Sequence, residues 1–282
     1  MEQINYSSVK EILSKYEIKS LKQLGQNFLI DTAIQEKIVR LSGLDKQCGV
    51  LEVGPGLGAL TALLCQTAGH VTAVEVDKRL IPILNIILSD YANIDIVQDD
   101  ILKLDINELI TGKMPGFSHH VCANLPYNIT SPVLAAFIDS DMFETITVMI
   151  QKEVAGRICA QPGSSEYGAF TVFVNYYTTP QLLFDVPPEC FYPRPAVTSS
   201  VITLKTRNDR ALEKKDEQRF FRVVRAAFSQ RRKTLVNALY ASFSHSMSKD
   251  EITDIVRNCG HDIRIRGERL GINEFATLSG FF

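Results

Sequence analysis

The sequence predicts an α/β fold, a Rossmann-like and mostly parallel sheet followed by a small all-helical domain. Three observations carry this. Strand and helix signals alternate through the first two thirds of the 282 residues, the pattern that parallel sheets covered by helices on both faces produce. Gly54, Gly56 and Gly58 cluster where the first strong strand meets its helix, and glycines there let a backbone turn tightly beneath a nucleotide-like ligand. Beyond residue 207 only helical periodicity remains.

The elements follow in order. Val50 to Val53 is a short, mostly apolar run that stops at glycine, and Ala59 to Thr67 is apolar at helical spacing. Val71 to Glu75 reads as the second strand, Lys78 to Leu88 as the second helix and Ile94 to Val97 as the third strand. His120 to Ala123 is a fourth strand, Ser131 to Asp139 a helix and Thr145 to Ile150 a fifth strand. Gln181 to Val186 and Ser199 to Lys205 read as a closing antiparallel pair. A charged stretch from Asn208 to Glu217 marks a boundary, giving domains 1–207 and 208–282. Helical periodicity then spans Phe220 to Ser229, Thr234 to Ser242, Lys249 to Asn258 and Asn273 to Leu278.

Composition excludes several classes. No apolar stretch approaches the roughly 20 residues that a membrane span needs. Met1 to Lys19 has no apolar signal core, so a cytoplasmic protein is expected. The six cysteines are scattered without a Cys-x-x-Cys pair, and His119-His120 beside Cys122 lacks a third ligand at a sensible spacing. Neither a disulfide framework nor a metal site is expected. The net charge of −2 hides an asymmetry: from Gln218 to Ser248 there is no acid, while Arg219, Arg222, Arg225, Arg231, Arg232 and Lys233 all fall there. Read as one helix from Phe220 to Lys233, this segment sets Arg222, Arg225 and Arg232 beside an apolar face of Phe221, Val224 and Phe228. Such a stripe, free of acids, is the footprint of a phosphate-binding surface.

The glycine turn alone is ambiguous, because Gly54-x-Gly56-x-x-Ala59 with Glu75 about 20 residues on also satisfies a dinucleotide fingerprint. Three details shift the reading to S-adenosylmethionine. Glu52 lies on a strand suited to burial and needs a partner near the cofactor. Asp100 follows the third strand, placed to accept from an adenine amino group, while Glu75 suits the ribose hydroxyls. The fourth strand ends in Asn124-Leu125-Pro126-Tyr127, which offers no acid or base of the kind hydride transfer needs.

That tetrapeptide suits methylation of a nucleobase amine. An exocyclic amino nitrogen delocalises its lone pair into the ring and becomes nucleophilic only when it pyramidalises. The Asn124 side-chain oxygen and the Leu125 carbonyl, held by Pro126, are two acceptors for its hydrogens. Tyr127 is expected to stack on the base. Phe191, in Phe191-Tyr192-Pro193-Arg194-Pro195, is expected on an extended loop covering the base's other face.

The Glu52 to Gly58 loop, Asn124-Leu125-Pro126-Tyr127-Asn128-Ile129 and Gln26-Asn27-Phe28-Leu29 resemble the ribosomal RNA adenine dimethyltransferases, over nearly the whole chain from Gln23 onward. Phe228 to Leu235 is similar to the small-subunit branch of that family. The resemblance implies a class I S-adenosylmethionine-dependent methyltransferase sheet, with S-adenosyl-L-methionine held by Asn27, Leu29, Gly54, Glu75, Asp100 and Asn124. It further implies dimethylation of two adjacent adenines in the 3′-terminal hairpin loop of 16S rRNA, within the immature 30S subunit, by a monomer. The alternatives are a 23S rRNA methyltransferase of the macrolide-resistance type and a non-catalytic RNA-binding assembly factor. Where the family usually carries Lys-Val-Asp-Ser, this chain has Ala196-Val197-Thr198-Ser199.

Overall fold

A computed structural model describes residues 26–282 together with residues 9, 11 and 14–16. Most of the Met1 to Lys19 stretch, and Gln23, lie outside the described residues. Strand β1 (Phe28–Leu29) leads into helix α1 (Thr32–Leu41), whose first turn is capped by the Asp31 carboxylate. The alternation continues with β2 (Cys48–Val53), α2 (Ala59–Thr67), β3 (His70–Glu75), α3 (Ile81–Ile87) and β4 (Ile94–Gln98). Next come α4 (Ile106–Lys113), β5 (Ser118–Asn124), α5 (Thr130–Ser140) and β6 (Thr145–Gln151). Helices α6 (Lys152–Ile158) and α7 (Ala169–Tyr177) precede β7 (Thr178–Val186), β8 (Phe191–Tyr192) and β9 (Ser199–Thr206). The chain closes with α8 (Lys214–Phe228), α9 (Leu235–Phe243), α10 (Lys249–Asn258) and α11 (Ile272–Ser279).

Seven strands form one sheet in the order β4-β3-β2-β5-β6-β9-β7. The strands from β4 to β6 run parallel, and β9 is antiparallel to β6 with Met149 opposite Val201. Every residue of β2 is buried, as a central parallel strand requires. Strand order reverses between β2 and β5, so their carboxyl ends open a crevice where ligands bind in such sheets. One face packs Ile38, Val50, Leu64, Cys122 and Met149, and another cluster gathers Leu57, Leu80, Leu84 and Leu88. All six cysteines are free, four of them buried.

The described residues fall into two compact units. One holds those up to Ala155 plus Gln181–Thr206; the other holds Gly156–Pro180 plus Arg207–Phe282. A division at residue 207 therefore misassigns 156–180, because Tyr167, Val172 and Tyr176 are buried against Phe220, Val223 and Phe275 of the helical unit. Helix α7 itself went unanticipated: its run of aromatic and β-branched residues favours strand locally, and burial of Val172, Val174 and Tyr176 overrides that preference. Helices α1, α4 and α6 were also missed, although Asp105 capping the Glu108 amide of α4 is a readable start signal.

Candidate active site

The carboxyl ends of β2 to β5 line a cleft of about 1030 Å³, counted out to its open mouth. Asn27, Leu29, Gly54, Glu75, Asp100, Asn124, Leu125 and Tyr127 all line it, from five separate stretches of chain. Phe191 does not. It is 3 % exposed, pairs with Leu29 across β1 and β8, and packs into the apolar cluster of Ile38, Val186 and Cys190. The expectation that this ring covers a base from an extended loop is corrected: a wholly apolar side chain on a paired strand is claimed by the core beneath it.

The glycine turn is built for close approach. Gly54 has φ +68° and Gly56 φ +61°, conformations that side chains disfavour, and a Cβ at Gly56 would come within 3.0 Å of the Phe28 ring. The Gly54 amide donates to the Val74 carbonyl at 2.9 Å, fixing the turn to β3. Glu75 is buried with one carboxylate oxygen accepting from the Asp77 amide at 2.8 Å and the other from the Gly56 amide at 3.3 Å. Burial pushes its carboxyl up, and those two amides partly offset this. Glu52 is 1 % exposed, and burial, with the Glu75 charge adding to it, raises its carboxyl to about 8 against the nearby Thr61 hydroxyl. Its Oε2 is buried with no partner among the described residues, and Glu52 is one of the residues that line the cleft.

On the opposite side, Asn124 is oriented by chemistry. Its Nδ2 donates to the Asn27 carbonyl at 3.2 Å. A carbonyl only accepts, so the amide end must face it, and Oδ1 is left as an acceptor turned away. The Leu125 amide donates to the Met149 carbonyl at 3.1 Å, tying this peptide to β6, and Pro126 follows at φ −57°. The Tyr127 hydroxyl lies 2.6 Å from the Ser199 hydroxyl. Burial raises the phenol's pKa, so the ring is neutral at working pH.

These residues fit a cationic, amino-acid-bearing nucleoside. An orphaned buried carboxylate oxygen at Glu52 suits an ammonium, Glu75 suits a vicinal diol, and the left-handed glycines leave room for an approaching chain.

A family model described as ribosomal RNA adenine dimethylase matches residues 18–259. The chain belongs to the ribosomal RNA adenine dimethylase family. It is 45 % identical over 271 residues to ribosomal RNA small subunit methyltransferase A of Lachnoclostridium phytofermentans, covering 95 % of this chain and 93 % of that one. The corresponding protein of Clostridioides difficile is 43 % identical, covering 98 % and 95 %. A crystal structure of a dimethyladenosine transferase from Plasmodium falciparum superposes with TM-score 0.76 at 25 % identity over 88 % of this chain and 94 % of that one. The 23S rRNA methyltransferase ErmE gives 0.70 at 25 % identity, covering 90 % and 99 %. The dimethylase therefore has the methyltransferase sheet and helical tail that its sequence led one to expect.

In the helical unit, α8 ends at Phe228, so Arg231, Arg232 and Lys233 lie in the turn that follows, contrary to a single helix through Lys233. The buried face of α8 is centred on Phe220, Val223, Val224 and Ala227, not on Phe221 and Phe228, which are half-buried. Arg222, Arg225, Arg232 and Lys233 are exposed, with the Arg222 guanidinium 4.6 Å over the Phe243 ring. Arg231 is exposed as well, its side chain 52 % accessible, but it is tied back to the chain. It donates to the Ser165 and Tyr167 carbonyls and lies 3.9 Å from Glu268, which pins the 161–168 segment.

Several residues lining the cleft have no role assigned from the sequence. Val76 is 51 % exposed beside Glu75, and Ile101 follows Asp100, an arrangement of apolar side chains that suits a flat ring. Gln35 is buried, and its side-chain amide donates to the Leu29 carbonyl at 2.7 Å. Gln26 donates to Asp77 at 2.9 Å. Only Gln26 had a readable signal, its place immediately before Asn27.

Proposed function

We propose that the cleft binds S-adenosyl-L-methionine and that the protein dimethylates the 6-amino groups of two adjacent adenines in the 3′-terminal hairpin loop of 16S rRNA, within the immature 30S subunit. The observation that carries this reading is the Asn124 side chain, whose Nδ2 is committed to the Asn27 carbonyl so that Oδ1 is an acceptor at the cleft. In this reading Asn27, Leu29, Gly54, Glu75, Asp100 and Asn124 hold the donor, with Glu75 on the ribose and Asp100 on the adenine amino group. Bound S-adenosylmethionine supplies a methyl group on a sulfonium leaving group.

The chain's own residues supply orientation. Asn124 Oδ1 and the Leu125 carbonyl accept from the two amine hydrogens, which favours a pyramidal nitrogen with its lone pair aimed along the line of transfer. Tyr127, tethered through its hydroxyl, stacks on the ring. No strong base is needed before transfer, since the proton becomes acidic only once nitrogen is alkylated, and the same acceptors then hold it on its way to solvent. Arg222, Arg225, Arg232 and Lys233 bind RNA phosphates. The protein works in this reading as a monomer in the cytoplasm. No helix among the described residues is long and apolar enough to cross a membrane.

Purified protein incubated with labelled donor and unmethylated 30S or 50S particles tests the proposal. Label in 30S, recovered as dimethyladenosine from the terminal hairpin, is expected. Label appearing only in 50S rejects it.

A further inference from the structure

We infer that Gln26 and Asp77 are positioning residues for methyl transfer, holding segment 26–29 so that the Asn27 carbonyl keeps Asn124 turned with its oxygen toward the target amine. This rests on Asn124 acting as the acceptor proposed above. Asp77 is 5 % exposed, and its carboxylate is gripped by Arg79, with Nε on Oδ1 at 2.8 Å and the terminal nitrogen on Oδ2 at 2.5 Å. The Arg79 guanidinium holds that carboxyl below the usual range, so it is a pure acceptor at working pH. Gln26 Nε2 donates to Asp77 Oδ2 at 2.9 Å. One residue on, the Asn27 carbonyl accepts from Asn124 at 3.2 Å. Two residues back from Asp77, Glu75 accepts from the Asp77 amide at 2.8 Å.

Segment 26–29 is thus tied to the β3 loop by one side chain and to the β5 end by the next carbonyl. These ties are separated by 51 and 97 residues in sequence. They connect the residue assigned to the ribose, Glu75, with the residue assigned to the amine, Asn124. Gln35 anchors the far end at the Leu29 carbonyl, so removing the Gln26 side chain takes away the tie to Asp77 and leaves that anchor in place. The Asn27 carbonyl is then held less firmly, and with it the acceptor that decides which way the Asn124 amide points.

The test uses the full-length protein with unmethylated 30S particles and labelled donor in single-turnover assays. Gln26→Ala is expected to lower the rate at saturating donor about tenfold, the loss typical of a hydrogen bond to a charged group, with the KM for 30S unchanged. In an Asn124→Ala background the same change is expected to cost nothing further. Gln26→Glu, which sets a second carboxylate against Asp77, is expected to match Gln26→Ala and keeps the test open if the alanine variant folds poorly. A wild-type rate in both variants, with Asn124→Ala slowed about a hundredfold, overturns the positioning role and leaves the Asn124 reading standing. An equal penalty in both backgrounds overturns it as well, because a merely structural role adds independently. Wild-type transfer by Asn124→Ala removes the Asn124 reading and this inference together.

Discussion

At the residue scale, the cleft combines groups that are costly in the free protein. Glu52 is buried with an unpaired oxygen and a carboxyl raised to about 8 from the ordinary 4.5. Between those values the folded state keeps a proton that the unfolded chain has released, so stability falls as pH rises through that window. Glu52→Gln is expected to flatten this slope: between about pH 6 and pH 9 the donor-free wild type should lose roughly 5 °C more in melting temperature than the variant, which thermal scans would show. Parallel scans would remove Glu52 from the account. Asn124→Ala is expected to cut methyl transfer by about a hundredfold or more while calorimetry finds donor affinity within a few-fold of wild type, since it removes an acceptor aimed at the transition state. Retained turnover would remove Asn124 from the mechanism. The 2.6 Å contact between Tyr127 and Ser199 makes a milder prediction. Ser199→Ala should slow transfer by about threefold to tenfold, the worth of one neutral hydrogen bond, and a rate equal to wild type would show the ring positioned by packing alone.

At the element scale, the basic segment after α8 divides by role. Arg231, Arg232 and Lys233 are all exposed, but Arg231 is bound to the Ser165 and Tyr167 carbonyls, whereas Arg232 and Lys233 have no ion-pair partner among the described residues. Arg232→Ala with Lys233→Ala should reduce the slope of log affinity for RNA against log salt by about 2, one for each phosphate no longer neutralised. Arg231→Ala should leave that slope unchanged and lower the melting temperature instead. A reversed pattern in filter binding and thermal scans would return Arg231 to the RNA face. The sequence showed the charge of this segment but not its division, because a helical wheel drawn through Lys233 assumes the helix continues. It stops at Phe228, and Ser229 to Lys233 form the turn leading to the Thr234 N-cap of α9.

At the scale of the whole molecule, the chain passes between its two units at Ala155, Pro180 and Thr206. A chain ending at residue 207 would therefore leave Tyr167, Val172 and Tyr176 without the helices that bury them. It is expected to bind hydrophobic dye and aggregate. A truncated protein that melts cooperatively without dye binding would show that 156–180 belongs with the sheet after all.

Local pattern determined much of this protein. The β2 to β6 alternation, the glycine turn, Glu75, Asp100 and the Asn124 tetrapeptide are all written in short stretches, because strand burial and turn geometry act over a few residues. The tertiary structure alone decided the rest. It sent Phe191 into the core, tied Arg231 to the Ser165 and Tyr167 carbonyls, gave 156–180 to the helical unit, and joined Gln26 to Asp77 and Asn27 to Asn124. Each of those outcomes depends on a partner dozens of residues away, and no local preference of a side chain specifies which distant neighbour will satisfy it.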